Sequence, residues 1–541
     1  MTRGRQGEAQ RGRTWGARTR WCVLALAVTA ALAGCTAADA EPTPTASSAS
    51  SGSGSAEPAA PAVEPVVVST VLEGEEVDLE VGPLVRHGDV AVLRLAAPTD
   101  NPVLLQMAFW EVYESGSSPG PNGVRVVDHG ERTVLTVART AEGKTVTTRN
   151  GSPGGPATDA DRETAGEDVA IAYAAFAVPS GDTVDVLLTQ GGLAADVPVV
   201  DEDEAGALTV PPDELVEDPV AEAPVIALES FTELVGGQVT ARVTPEQVQV
   251  AIASDVLFAV DSDQLGPDAE AALVAVGQQL TAYEGGALDV VGHTDDVLDD
   301  AYNLDLSQRR AQTVADRLAG LVDLGAFDVT VSGKGESEPA VPGTSPEARA
   351  ANRRVELVLV PPSPTEAVSD PGDEDAPLPA PEGPSGPGPE GVSVQDGTAM
   401  FDVRLAEVRR RGPFVVGALE VTNTGSDALA VSSFASGAWD TRGEFDASLQ
   451  FAATNLTIPV GTSRLYPLDY VRDAENQVRE PMADRVIVGI APGSTRVVGV
   501  MWPDPGTETV TVEVARRHLE AFGGVDVGVP FRLTDVPVVD G

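Results

Sequence analysis

Cysteine is nearly absent from this 541-residue chain, with one at position 22 and one at position 35. Position 22 lies in a leader expected to be removed, so no structural disulfide can form within one mature chain. Histidine is almost as scarce: His87, His129, His293 and His518 are scattered, and neither HExxH nor CxxC occurs. That excludes the usual zinc centres, and no metal or other cofactor is expected. Gly143-Lys144-Thr145 has Ala138 where a phosphate-binding loop needs its first glycine, so it reads as a hairpin turn. The run Asp261–Gly266 opens like a calcium loop but has Leu265 at a ligand position and Ala272 in place of the closing Glu. With no nucleophile, metal cluster or cofactor loop, the chain is not expected to be an enzyme. Basic residues are outnumbered, 35 Lys and Arg against 83 Asp and Glu, giving a formal charge of −48. Nucleic acid is therefore excluded as a partner, and binding to any acidic polymer would need a local, stereospecific site.

Long apolar runs are missing too. The longest begins at Cys22 (CVLALAVTAALAG), comes after Arg3, Arg5, Arg11, Arg13, Arg18 and Arg20, and ends before Cys35. It is shorter than the roughly 20 residues a membrane span takes and reads as an export signal over 1–34. A motor-stator or channel role, which needs a retained span, is set aside. Leu32-Ala33-Gly34-Cys35 resembles the lipobox of bacterial lipoproteins, which implies lipidation of Cys35 and a membrane anchor. Two or three acyl chains, at about 0.8 kcal/mol per buried CH2, make such an anchor stable.

Beyond the leader, the composition shifts several times, as in a multidomain protein. Residues 35–62 comprise the lipidated Cys and an Ala/Ser/Pro/Thr/Gly tether with no Leu, Ile, Val or aromatic, expected to be disordered. Short Val-, Leu- and Thr-rich runs at 63–200 (VAVLRL, RTVLTVA, VAIAYAAFAV, DTVDVLLT) argue for a β-sandwich with one mobile insertion near 151–168. An acidic linker is expected at 201–223 and a Pro/Gly/acidic linker at 363–391. Residues 392–541 read as a second β-sandwich. It ends in DVPVVD, Asp535 to Asp540, which also closes the first as Asp196 to Asp201, so the two are expected to be related.

Between them, 224–362 changes character. A strand around VLFAV (256–260) precedes a helix with Ala272, Leu273, Val276 and Leu280 on one face. Next come the strand ALDVVGH, a helix through RRAQTVADRLAGLV, and two strands, FDVTVSG and RRVELVLV. The expectation is a central α+β domain, βαβαββ, with helices on one face of a mixed sheet.

Three blocks in this domain, GHTDDVLDDAYNLDLSQRRAQTV from Gly292, GKGESEP from Gly333 and NRRVEL from Asn352, resemble the OmpA-like peptidoglycan-binding domain. The resemblance covers about a fifth of the chain. Peptidoglycan stems often carry meso-diaminopimelate, which ends in an ammonium and a carboxylate on one carbon, and such a head calls for one acid and one base. Asp295 and Arg310, fifteen residues apart, supply them. The resemblance implies that Asp295 takes the ammonium, Arg310 the carboxylate, and Asn303 supports the ligand backbone. Thr294, Asp261 and Arg354 are implied as further pocket residues. The chain departs from the family at Ala259, where an acid is usual, and at Leu298, where Gly is usual. His293, with no nucleophile in view, reads as framework. The function implied is an envelope lipoprotein linking membrane to cell wall. The alternative is an adhesion or scaffolding protein whose β-sandwiches bind another envelope protein while the central domain only docks it.

Overall fold

The computed structural model of the chain describes residues 63–541 apart from 73–74, 98–120, 149–169, 190, 210–214, 216–218, 235–237, 364–376, 430–433, 435–452, 474–477, 485–489 and 520–524. The expected leader, Cys35, the tether to residue 62 and the insertion 151–168 lie outside the described residues.

The Val- and Leu-rich runs on either side of the central domain form two β units with one pairing scheme. In the first, Val90–Ala97 lies between Glu75–His87 and Ala170–Ala177. Its closing strand, Gly192–Asp201, runs parallel to Glu75–His87 and antiparallel to Thr183–Leu188. In the second, Phe414–Asn423 lies between Val408–Arg411 and Thr495–Pro503. Here Phe531–Asp540 closes the unit, parallel to Val408–Arg411 and antiparallel to Thr509–Val514. The registers agree pair for pair: Leu84 faces Val199 and Arg86 faces Asp201 in one, Val408 faces Val538 and Arg410 faces Asp540 in the other. The shared hexapeptide accounts for a local likeness. Asp196 and Asp535 both adopt a left-handed conformation (φ 55° and 54°). Each sits at a bulge in the ladder, where Asp tolerates a positive φ that bulkier side chains resist. In the first unit Gly143-Lys144-Thr145 closes a hairpin, Thr145 pairing with Arg139.

The two units share a seam. Val127, Val134 and Leu187 of the first pack with Phe414, Val416, Leu468, Tyr470, Met482 and Met501 of the second. Apolar burial drives such contact, and a buried ion pair fixes its register. Arg411 donates from Nε and Nη2 to the two oxygens of Asp185, both at 2.7 Å, and from Nη2 to Asp196 at 2.6 Å. Asp185 is fully buried.

The stretch expected to be an acidic linker is partly built into this body. After Asp201 come a helical turn, Glu202–Ala205, and the strand Val220–Glu222, which pairs with Arg139–Thr140. The chain then laces both units in the same way. Val225–Ala227 adds to the edge strand Thr133–Leu135 of the first, and Ser230–Leu234 adds to the edge strand Ser463–Leu465 of the second. Between them Glu229 pairs with Asp469. In the other expected linker, Ser385–Pro387 pairs with the closing strand Phe531–Asp540. Unpaired backbone at a sheet edge must find a partner, and here the connecting segments supply it.

Ser230–Leu234 also pairs with Val239–Val243, so the sheet of the central domain continues into the second β unit. Its strands run in the order 458–460, 463–465, 230–234, 239–243, 248–253, 354–360, 286–293, 327–335. The strand expected at VLFAV is displaced. Val248–Ala253 is extended, its alternating Val248, Val250 and Ile252 buried, whereas Ser254–Leu257 is a helical turn. The reason is periodicity: VQVAIA alternates, whereas in VLFAV the adjacent Leu257 and Phe258 are both buried and Ala259 and Val260 both exposed. From Val248 onward the order is strand, helix, strand, helix, strand, a short helix Pro346–Asn352 that was not expected, and strand, and the helices Ala269–Thr281 and Asp300–Ala319 cover one face. The second helix begins well before RRAQTV, because Asp299 caps it by accepting from the Ala301 N–H. Arg310 is thus mid-helix.

Candidate functional site

Two glycines decide how closely the helix Asp300–Ala319 approaches the sheet. A Cβ on Gly292 would lie 2.1 Å from the Ser307 carbonyl oxygen, and one on Gly333 would lie 2.4 Å from the Gln308 backbone nitrogen. Only glycine fits both places, so the backbone of the helix rests on the strands and carries Arg310 to the end of the sheet where Gly286–His293 runs into its loop.

Arg310 is buried, 5% exposed. Its Nε donates to the Ser262 carbonyl at 2.9 Å, and its guanidinium lies 5.1 Å from the centre of the Phe258 ring. A cation over an aromatic face gains on the order of 0.5–2 kcal/mol. Among the described residues, no carboxylate forms an ion pair with it. Burial pulls its pKa down, with Asp255 and Asp261 opposing and Arg353 reinforcing the shift. An arginine stays charged in a protein, so this is a desolvated cation whose two terminal nitrogens have no hydrogen-bond acceptor among the described residues.

Asp295 stands in the loop after His293. Its Oδ1 accepts from the Val297 N–H at 3.3 Å and its Oδ2 from Arg353 Nη1 at 2.9 Å. Arg353 also grips Asp255, Nε to Oδ1 at 3.1 Å and Nη2 to Oδ2 at 2.6 Å. The hydrogen bond from Arg353 outweighs the opposing desolvation and holds the Asp255 carboxyl below its ordinary range. The Asp295–Arg353–Asp255 chain ends beside Arg310, because Asp255 lies on the same turn as Phe258, whose N–H closes onto the Ser254 carbonyl. Asp295 is thereby linked, through Arg353, to the turn that carries Asp255 and Phe258 beside Arg310.

The other expected residues divide. Asp261 is exposed, with φ 54°, in the loop that Arg310 touches. Thr294 is buried; its N–H donates to the Gly335 carbonyl, and its hydroxyl has no partner among the described residues. Asn303 is buried and its amide donates to the carbonyls of Asp295 and Leu298 and to Glu336 at 2.6 Å, so it holds the loop rather than facing outward. Arg354 is turned away from the site. It pairs with Glu356 and donates to the carbonyls of Asn352 and Glu338. Strand alternation gives the reason: Val355, Leu357 and Leu359 point into the helix-covered core, which sends Arg354 and Glu356 to the opposite face. There Glu356 also lies 3.7 Å from the buried His293. Burial alone would raise the Glu356 carboxyl, but His293 and Arg354 outweigh it and bring it down to about 2. Arg353, one residue earlier, and Asp255 were the site neighbours that sequence reasoning missed.

These blocks and their arrangement match a known family model, described as the OmpA family, over residues 257–353. The chain carries an OmpA family domain. Over 113 residues the chain is 34% identical to the outer-membrane lipoprotein YfiB of Pseudomonas aeruginosa, covering 20% of this chain and 66% of that protein. Outer membrane protein A of Bordetella avium is 36% identical over 118 residues, 21% of this chain and 59% of that one. The matches thus span less than two thirds of these relatives' own lengths. Among solved structures, the cell wall anchor of the T6SS from Pseudomonas aeruginosa shares 33% identity over 23% of this chain and 88% of that chain, with a TM-score of 0.21. The peptidoglycan-associated lipoprotein from Burkholderia pseudomallei shares 29% over 19% of this chain and 86% of that chain, with a TM-score of 0.17. Around the OmpA domain, among the described residues, no helix is long and apolar enough to cross a membrane.

Proposed function

We propose that this chain is an exported, lipid-anchored envelope protein whose OmpA domain binds peptidoglycan without a covalent bond, and which has no reaction of its own. The observation that carries the reading is the Arg310 guanidinium: desolvated, unpaired with any carboxylate among the described residues, and joined to Asp295 through the Arg353–Asp255 chain. The ligand that completes such a site brings a carboxylate to Arg310 and an ammonium to Asp295, which describes the side-chain head of meso-diaminopimelate. Each charge-assisted hydrogen bond contributes about 1.5–3 kcal/mol net. Asn303 and Thr294 shape the loop that presents Asp295, and Asp261 adjoins Ser262, whose carbonyl accepts from Arg310. The names of the similar proteins, an outer-membrane lipoprotein and a peptidoglycan-associated lipoprotein among them, agree with this reading.

The anchor rests on the Leu32-Ala33-Gly34-Cys35 junction. We read the flanking regions as two copies of one β-sandwich that support the OmpA domain between membrane and wall. Asp295→Ala and Arg310→Ala are each expected to weaken pelleting with purified sacculi by at least about tenfold while circular dichroism stays unchanged. Wild-type pelleting of both would exclude the site. Cys35→Ser is expected to release the protein to the medium, and continued membrane fractionation would exclude the anchor.

A further inference from the structure

Arg310 is surrounded by acids that could close on it. Asp255 shares a turn with Phe258, the ring that Arg310 covers, and Asp261 adjoins Ser262, whose carbonyl Arg310 binds. Asp255 is the more dangerous of the two, since its side chain is 63% exposed and could swing. It does not pair with Arg310, because both of its oxygens are taken by Arg353, Nε at 3.1 Å and Nη2 at 2.6 Å. The third nitrogen of Arg353 holds Asp295 at 2.9 Å. The Arg353 backbone is itself fixed to this turn: its carbonyl accepts the Ser254 N–H at 2.8 Å, and its N–H closes the helix Pro346–Asn352 onto the Arg349 carbonyl.

We propose that Arg353 is a positioning residue for ligand binding: by occupying both oxygens of Asp255 and one of Asp295, it keeps Asp255 off the Arg310 guanidinium and aims Asp295 at the same space. This rests on the reading of Asp295 and Arg310 given above. Arg353 touches no ligand group in this scheme. It prevents the site from neutralising itself. A guanidinium is needed for the task, because its planar fork meets two carboxylates at once, whereas an ammonium is a point charge. The Coulombic influence of Asp255 on Arg310 agrees with their nearness.

A role in closing off Asp255 predicts a rescue that a merely structural role does not. The probe is a disaccharide tripeptide ending in meso-diaminopimelate, titrated into the soluble chain from residue 36 onward. Arg353→Ala is expected to weaken binding about tenfold or more. Asp255→Ala alone is expected to weaken binding less than Arg353→Ala does, since it leaves no carboxylate to pair with Arg310. The double variant Asp255→Ala/Arg353→Ala is expected to recover part of the loss, since Arg310 is again unpaired while Asp295 still lacks the hydrogen bond from Arg353. Arg353→Lys is expected to fall between wild type and Arg353→Ala, and it keeps the test alive should the alanine variant melt early. A double variant that binds no better than Arg353→Ala, or an Arg353→Ala that binds like wild type, overturns the proposal. If Asp295→Ala and Arg310→Ala also bind like wild type, the function itself has failed. If those two lose binding while the double variant shows no recovery, only the role of Arg353 has.

Discussion

Arg411 in the seam between the β units and Arg310 in the OmpA domain are both about 5% exposed, yet their surroundings differ. Arg411 faces two aspartates: Asp185 accepts from Nε and Nη2, Asp196 from Nη1 and Nη2, and these hydrogen bonds push its pKa up. Arg310 faces a backbone carbonyl and a phenyl ring, and burial pushes its pKa down. A buried cation already met by carboxylates serves the fold, because its charge is satisfied before any ligand arrives. One left without a counter-ion costs stability until a partner supplies it. On the proposed reading, the difference separates a structural arginine from a binding one.

Substitutions can break this contrast in a fixed order of size. The largest expected effect is at the seam: Arg411→Ala leaves Asp185 buried and stripped of its guanidinium, and should cost about 3–5 kcal/mol in urea unfolding. Muropeptide affinity of the folded fraction should not change. Next comes a paired carboxylate inside the OmpA domain. Glu356 has its folded pKa depressed from 4.5 to about 2, so its contribution is present above about pH 4.5 and lost as pH falls toward 2. Wild type should therefore exceed Glu356→Gln in stability near neutral pH by as much as about 3 kcal/mol, the gap closing over that window. Equal stability of the two at neutral pH would contradict it. The smallest is at the helix contact: Gly292→Ala must push the Ser307 backbone away and should destabilise by about 1–3 kcal/mol. Unlike the other two, it should also weaken muropeptide binding, since it shifts the helix that carries Arg310.

The pair Asp295 and Arg310 was proposed from one contiguous motif that runs from a strand-to-loop turn into a helix. Arg353 was not. The block NRRVEL offers two arginines, and choosing between them requires the phase of the strand, which starts at Arg354 with Val355 pointing inward. Asp255 was hidden for a related reason: reading VLFAV as a strand left no turn on which an aspartate could meet Arg353, ninety-eight positions away in sequence. The segment 220–234 shows what composition cannot carry. Its first residues, to 223, read as linker and the rest as the start of the central domain, yet its short strands complete two sheet edges whose partners lie far away in the chain. The repeated DVPVVD was the opposite case, a short local signal whose two copies occupy matching registers.

The most direct measurement is a calorimetric titration of the soluble chain with two muropeptides that differ only at the third stem residue, meso-diaminopimelate in one and L-lysine in the other. Lysine keeps the ammonium that Asp295 would hold and lacks the carboxylate that Arg310 would clamp. Binding of the diaminopimelate form at least about tenfold tighter, with the difference abolished in Arg310→Ala, is the predicted result. Equal affinity for the two peptides would contradict the account.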